Sequence, residues 1–152
     1  MKNKYILYIL AFFLILFISN CFYSVLNGQK LSLIKLNGVN YANENLENKK
    51  NLFIYFSTDC GSCEGIISKI IKKGKILNEY NILFVTKEQN ISTIISFVKK
   101  NKIDLSKTEI LIDKYKSFED FFEIGLVINY PTLYLYDTKT ESKKVVSNIN
   151  EI

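Results

Sequence analysis

The sequence predicts an α/β domain, a central sheet flanked by helices with parallel pairing around its middle. Three observations predict it. Compact apolar runs of strand length, Leu52-Phe53-Ile54-Tyr55-Phe56, Ile82-Leu83-Phe84-Val85 and Ile110-Leu111-Ile112, recur along the chain. Between them lie segments with helical spacing, Ile66, Ile67, Ile70 and Ile71 in one and Ile91, Ile94, Ile95 and Val98 in the next. A polar turn from Asp137 to Ser142 then joins two last strands, as a closing hairpin does.

The chain opens on an apolar segment. Lys2 and Lys4 precede the run Tyr5 to Leu26, 22 residues or roughly 33 Å of helix, the thickness of a bilayer core. Tyr5, Tyr8 and Tyr23 lie near its ends, as interfacial aromatics do. Residues 1–26 are expected to be a membrane anchor or signal segment, and residues 27–152 a domain long enough for its own core. An uncleaved signal anchor fits the length. A lipoprotein signal acylated at Cys21 is the alternative, with Asn20 standing where a small residue is expected. Ordinary cleavage is a third reading, without an A-x-A-like site. Lys30 and Lys35 nearly balance the positive-inside count, but the short N-terminal tail favours a domain on the extracytoplasmic side, periplasmic or outer.

After this segment, Leu31 to Leu36 and Val39 to Tyr41 flank Asn37-Gly38, a dipeptide suited to a tight hairpin. The strand at Leu52 follows a polar stretch. Gly74 weakens or ends the first helix, and Lys99, Lys100 and Lys102 suit the C-terminal dipole of the second. Ser117 can cap a third helix with Glu119 and Asp120 in its first turn and Phe118, Phe121 and Phe122 on its buried side; Gly125 supplies the stop. Pro131 opens the strand Thr132 to Tyr136, and the last strand lies around Val145-Val146.

Composition excludes much chemistry. The chain has 152 residues, no His and three Cys, so Ser-His-Asp and Cys-His nucleophile systems and His-ligated metals are ruled out. Its net charge of +5 is spread among interleaved acids and contains no Arg, unlike a nucleic-acid surface. No nucleic-acid partner is expected.

Cys60-Gly61-Ser62-Cys63 carries the chemistry. It stands where an apolar strand gives way to a helix. There the unpaired N–H groups of the first turn and the dipole favour a thiolate at the first cysteine. The second, three residues on, can attack a mixed disulfide formed by the first. Zinc sites share the spacing, but a structural zinc needs four ligands and this chain has three Cys and no His. A working dithiol is the better reading, with no metal and no cofactor beyond a redox-active Cys60–Cys63 disulfide.

The stretch Phe53-Ile54-Tyr55-Phe56-Ser57-Thr58-Asp59-Cys60-Gly61-Ser62-Cys63, joined later by Tyr130-Pro131-Thr132, resembles the thioredoxin superfamily, and within it the membrane-tethered TlpA/ResA-like thiol–disulfide oxidoreductases. The resemblance spans about residues 31 to 147. It implies a thioredoxin-like three-layer fold with an N-terminal β-hairpin and a β-α insertion before the proline strand. Only Ser147 to Ile152 follow the last strand, so the usual closing C-terminal helix is expected to be missing, through either a trimmed fold or a truncated chain. It further implies that Cys60 attacks, Cys63 resolves, and Pro131 is a cis proline beside the disulfide. Gly61, Ser62, Tyr130, Pro131 and Thr132 would meet the substrate, with Tyr130 offering its backbone to an extended segment.

The departures from the family pattern also matter. Asp59 replaces the usual Trp before the first Cys, and Ile54 occupies the place of a buried Asp, which leaves Glu64 or Glu88 as candidate proton carriers beside their plainer reading as solvated carboxylates. Asp59 and Glu64 should limit how far the Cys60 pKa falls, which argues for a reductant of protein disulfides rather than a strong oxidant. Its partners would be protein thiols and disulfides, with a transmembrane thiol reductase as electron donor. The competing readings are a Cu(I) or soft-metal carrier, and a tethered interaction module with a structural disulfide.

Overall fold

The computed structural model describes residues 8–19, 30–46, 50–125 and 127–152. The chain divides into two compact units, Met1–Lys30 and Leu31–Ile152. In the first, residues 8–19 form a helix, α1. The rest of the expected span, residues 5–7 and 20–26 with Cys21, lies outside the described residues. Among the described residues, no helix is long and apolar enough to cross a membrane.

The second unit runs β1 (Ser32–Lys35), β2 (Asn40–Ala42), a 3-10 turn (Asn43–Asn45), β3 (Lys50–Tyr55), α2 (Gly61–Lys72), α3 (Gly74–Glu79), β4 (Asn81–Thr86), α4 (Ile91–Lys100), β5 (Thr108–Ile112), α5 (Ser117–Phe121), β6 (Thr132–Asp137), β7 (Ser142–Val146) and a 3-10 turn (Ile149–Glu151). The strands form one sheet in the order β2-β1-β5-β4-β3-β6-β7. β4 is parallel to both β3 and β5. The hairpins β1–β2 and β6–β7 close the two edges, joined by antiparallel β1–β5 and β3–β6 pairing.

The apolar runs are continuous because the sheet is covered on both faces. Leu52, Ile54, Phe56, Ile82, Phe84, Ile110 and Ile112 face α2, α3 and α4, which contribute Cys63, Ile67, Ile70, Ile76, Ile94, Phe97 and Val98. The intervening residues Phe53, Tyr55, Leu83, Val85, Leu111, Tyr134 and Tyr136 face Phe118 and Phe121 of α5. Ile67 and Ile70 are fully buried, each contributing about 1.5–3 kcal/mol to the attachment of α2. Gly38, with φ of 82°, makes the β1–β2 turn as its sequence suggested.

The first helix ends before Gly74, as expected, with α2 stopping at Lys72, and the chain restarts there as α3, with Ile76 buried. Two local expectations are corrected. Ser117 is the first residue of α5 rather than its cap. The Phe118 N–H donates instead to Asp113 Oδ1 at 3.3 Å, and the Ser117 hydroxyl bonds the Ser32 backbone of β1. Gly125 does not end α5. The stop falls at Phe122 and Glu123, whose φ is 54°. The C-terminal 3-10 turn packs Ile149 and Ile152 against the α2-side core, and Lys73 Nζ donates to Ile149 O and Asn150 Oδ1.

Candidate active site

The antiparallel register of β3 and β6 pairs Tyr55 with Thr132. It therefore brings the chain leaving β3 toward Cys60 beside the loop entering β6 at Pro131. Cys60 is the N-cap of α2 in extended conformation, and its Sγ accepts from Cys63 N–H at 3.2 Å. One helical turn separates the two cysteines, and they form a disulfide with Cα atoms 5.4 Å apart. Cys60 is half-buried, whereas Cys63 is fully buried among Ile54, Phe56 and Ile67.

The peptide bond Tyr130-Pro131 is cis. The Tyr130 carbonyl lies 3.5 Å from Cys60 Sγ and accepts from the Ser62 hydroxyl at 3.2 Å; that hydroxyl is also 3.2 Å from Cys60 Sγ. The structure thus brings Cys60, Ser62, Cys63 and the 130–131 loop together. Gly61 is exposed, and a Cβ there would meet nothing within 4 Å. The Thr132 hydroxyl donates to Asn129 O and braces the loop. Beside the disulfide, Phe56, Ser57, Thr58, Asp59, Thr86, Lys87, Glu88, Thr93 and Tyr130 line a cleft of about 480 Å³.

Charge around the dithiol is mostly acidic. The Ser57 hydroxyl donates to exposed Asp59 and holds its carboxyl below the usual range. Glu64 turns away to Lys100, 2.5 Å from its Nζ. Glu88 lines the cleft, but its Oε1 accepts from Asn90 N–H at 2.7 Å. Beneath Cys63 the core is apolar, with Ile54 fully buried. Among the described residues, no group of three or more His, Cys, Asp or Glu is arranged to hold a metal ion.

One cluster escaped the sequence reading. Tyr55 is fully buried, and its hydroxyl donates to Glu119 Oε1 at 2.8 Å, while Lys87 Nζ pairs with the same oxygen. Burial, then the bond to Glu119, pushes the Tyr55 hydroxyl far above its ordinary pKa; the Glu119 bond raises that of Lys87. The Tyr55 ring packs 5.3 Å from Tyr130 and 4.8 Å from Phe118. The signal available was a tyrosine in an otherwise apolar strand, since a buried phenol needs a partner.

No protein-family model and no curated protein sequence matches the chain. Solved structures do resemble it. A secreted Mycobacterium tuberculosis disulfide oxidoreductase homologous to E. coli DsbE is 14% identical over 78% of this chain and 83% of its own, with a TM-score of 0.61. A thiol:disulfide interchange protein of the thioredoxin family from Chlorobium tepidum is 14% identical over 80% and 84%, with a TM-score of 0.62. The exposed lipoprotein thioredoxin Etrx1 of Streptococcus pneumoniae is 18% identical over 78% and 86%, with a TM-score of 0.53. These neighbours are thioredoxin-fold proteins of thiol–disulfide chemistry, and the chain has their fold.

Proposed function

We propose that this chain is a membrane-tethered, extracytoplasmic thiol–disulfide oxidoreductase that reduces protein disulfides. The observation that carries the reading is the Cys60–Cys63 disulfide at the N-terminus of α2, its first sulfur half-exposed and its second buried, against the Tyr130-Pro131 loop. In the reduced state the Cys60 thiolate attacks one sulfur of a substrate disulfide; a new S–S bond forms and the other substrate sulfur leaves with the electron pair and takes a proton. Cys63 then loses its proton and attacks Cys60 Sγ. The second substrate sulfur departs as a thiolate and is protonated, leaving Cys60–Cys63 oxidised and the substrate reduced by two electrons.

Asp59 supports the reducing direction, because a retained negative charge beside Cys60 disfavours the thiolate that strong oxidants stabilise. No cofactor beyond the disulfide enters this cycle. A transmembrane thiol reductase is the proposed electron donor. The apolar run Tyr5 to Leu26 supports tethering, as an anchor or through acylated Cys21, and structural neighbours that are secreted or exposed lipoproteins support the extracytoplasmic side.

The test is insulin-disulfide reduction by the reduced protein, together with its reduction potential. Activity that Cys60→Ser abolishes, with mixed disulfides trapped by Cys63→Ser in intact cells, is the expected result. A very low potential with no exchange would instead make the disulfide structural.

A further inference from the structure

We propose that the Ser62 hydroxyl changes its hydrogen-bond acceptor with the redox state of the dithiol. It holds the Tyr130 carbonyl while the disulfide is closed, and turns to Cys60 Sγ when the pair is reduced. The proposal rests on the oxidoreductase reading and adds a coupling between thiolate formation and substrate docking.

Ser62 is exposed in the first turn of α2, and its Oγ is 3.2 Å from both acceptors. A hydroxyl has a single proton to donate. In the closed disulfide the sulfur is a weak acceptor, so the carbonyl takes the bond. Reduction by an external dithiol, which is itself oxidised to a disulfide, supplies two electrons and two protons: the S–S bond breaks, Cys63 takes one proton, the other is released to solvent, and Cys60 keeps the charge. A thiolate is then the stronger acceptor, because bonds to ionised groups are roughly twice as strong as neutral ones. The exchange needs only rotation about Cβ–Oγ, since both acceptors are already in reach, and no proton is transferred.

The other donor on Cys60 Sγ is the Cys63 N–H, at 3.2 Å. The charged or titratable groups around the site are Asp59 on the loop after β3, Glu64 of α2 paired with Lys100 of α4, Lys87 and Glu88 after β4, and Tyr130 before β6. Three of these are carboxylates, and the two lysines are committed to carboxylates, Lys100 to Glu64 and Lys87 to Glu119. The thiolate therefore depends on its few donors. When Ser62 turns, the Tyr130 carbonyl is released as an acceptor for an N–H of an extended substrate segment. Docking capacity appears together with the nucleophile.

The experiment uses the full chain with Ser62→Ala and Ser62→Thr. After reduction with dithiothreitol, alkylation of the Cys60 peptide is followed against pH by mass spectrometry. One charge-assisted bond lost should move the Ser62→Ala midpoint upward and lower the thiolate fraction at pH 7 about tenfold, with Ser62→Thr keeping the wild-type curve. In parallel, protein carrying carbonyl-13C tyrosine and 15N proline reports the Tyr130 carbonyl alone, because the chain has one Pro. That resonance should move on reduction in wild type and Ser62→Thr, and stay in place in Ser62→Ala. A Ser62→Ala curve matching wild type, or a carbonyl that moves equally in all three, overturns the proposal. Both readouts need only Cys60 and a chemical reductant, so they still decide if the wild type proves unable to reduce insulin and the oxidoreductase reading fails.

Discussion

Removing the Glu119 carboxylate tests whether the floor of the site is built as described. Glu119→Ala takes the acceptor from a fully buried Tyr55 hydroxyl and the partner from Lys87, whose side chain is 38% exposed. A buried hydroxyl left without a partner costs about 1–3 kcal/mol. Lys87 can turn to water, so its lost ion pair is discounted to at most about 1 kcal/mol. The sum is about 1–4 kcal/mol, or a urea midpoint lowered by about 0.5–2 M at a slope of about 2 kcal/mol/M. Tyr55→Phe loses one hydrogen bond but leaves Glu119 paired with Lys87, so it should cost about 1 kcal/mol. In the double variant no buried hydroxyl is orphaned, and its cost should fall below the sum of the singles by about 1–2 kcal/mol. Equilibrium urea unfolding followed by circular dichroism measures all three. Strict additivity, or a Glu119→Ala cost below about 0.5 kcal/mol, would show that the carboxylate does not hold the tyrosine.

Asp113 gives a pH test. Burial raises its carboxyl pKa, so the folded state binds that proton more tightly than the unfolded chain. Its charge then costs stability that is absent below the unfolded value near 3.9, grows as pH rises through the folded value, and is constant above. Asp113→Asn keeps the Oδ1 acceptor for the Phe118 N–H, so the stability difference should move in favour of Asn as pH rises from about 4 to 7; a difference independent of pH would refute the assignment. A chain beginning at Gly28 should fold cooperatively, because the buried core lies between Leu31 and Val146. Loss of its cooperative urea transition would show that the N-terminal segment contributes to the core.

The α/β fold and the C-x-x-C pair were legible because their signals are local. Unbroken apolar runs mark strands covered on both faces, and the spacing of Ile67, Ile70, Ile94 and Val98 marks the buried faces of α2 and α4. The C-x-x-C at a strand–helix junction needs only its own turn to place a half-exposed sulfur over a buried one. The end of α5 was misread because the stop used a non-glycine residue, Glu123, in left-handed backbone, where Gly125 looked the better candidate.

What the tertiary structure decided are the partners. Apolar runs such as β4, β5 and β6 do not state which neighbours they take or in what register, and β3–β6 pairing is what sets Tyr130 beside Cys60 and Ser62. The same sheet order carries Glu119, 64 residues from Tyr55, onto its hydroxyl and onto Lys87. Periodicity and capping are written within a turn or two of chain, whereas a hydrogen bond across such a separation exists only once the strands have chosen their order, so the sequence determined the elements and the C-x-x-C pair and the packing determined what surrounds them.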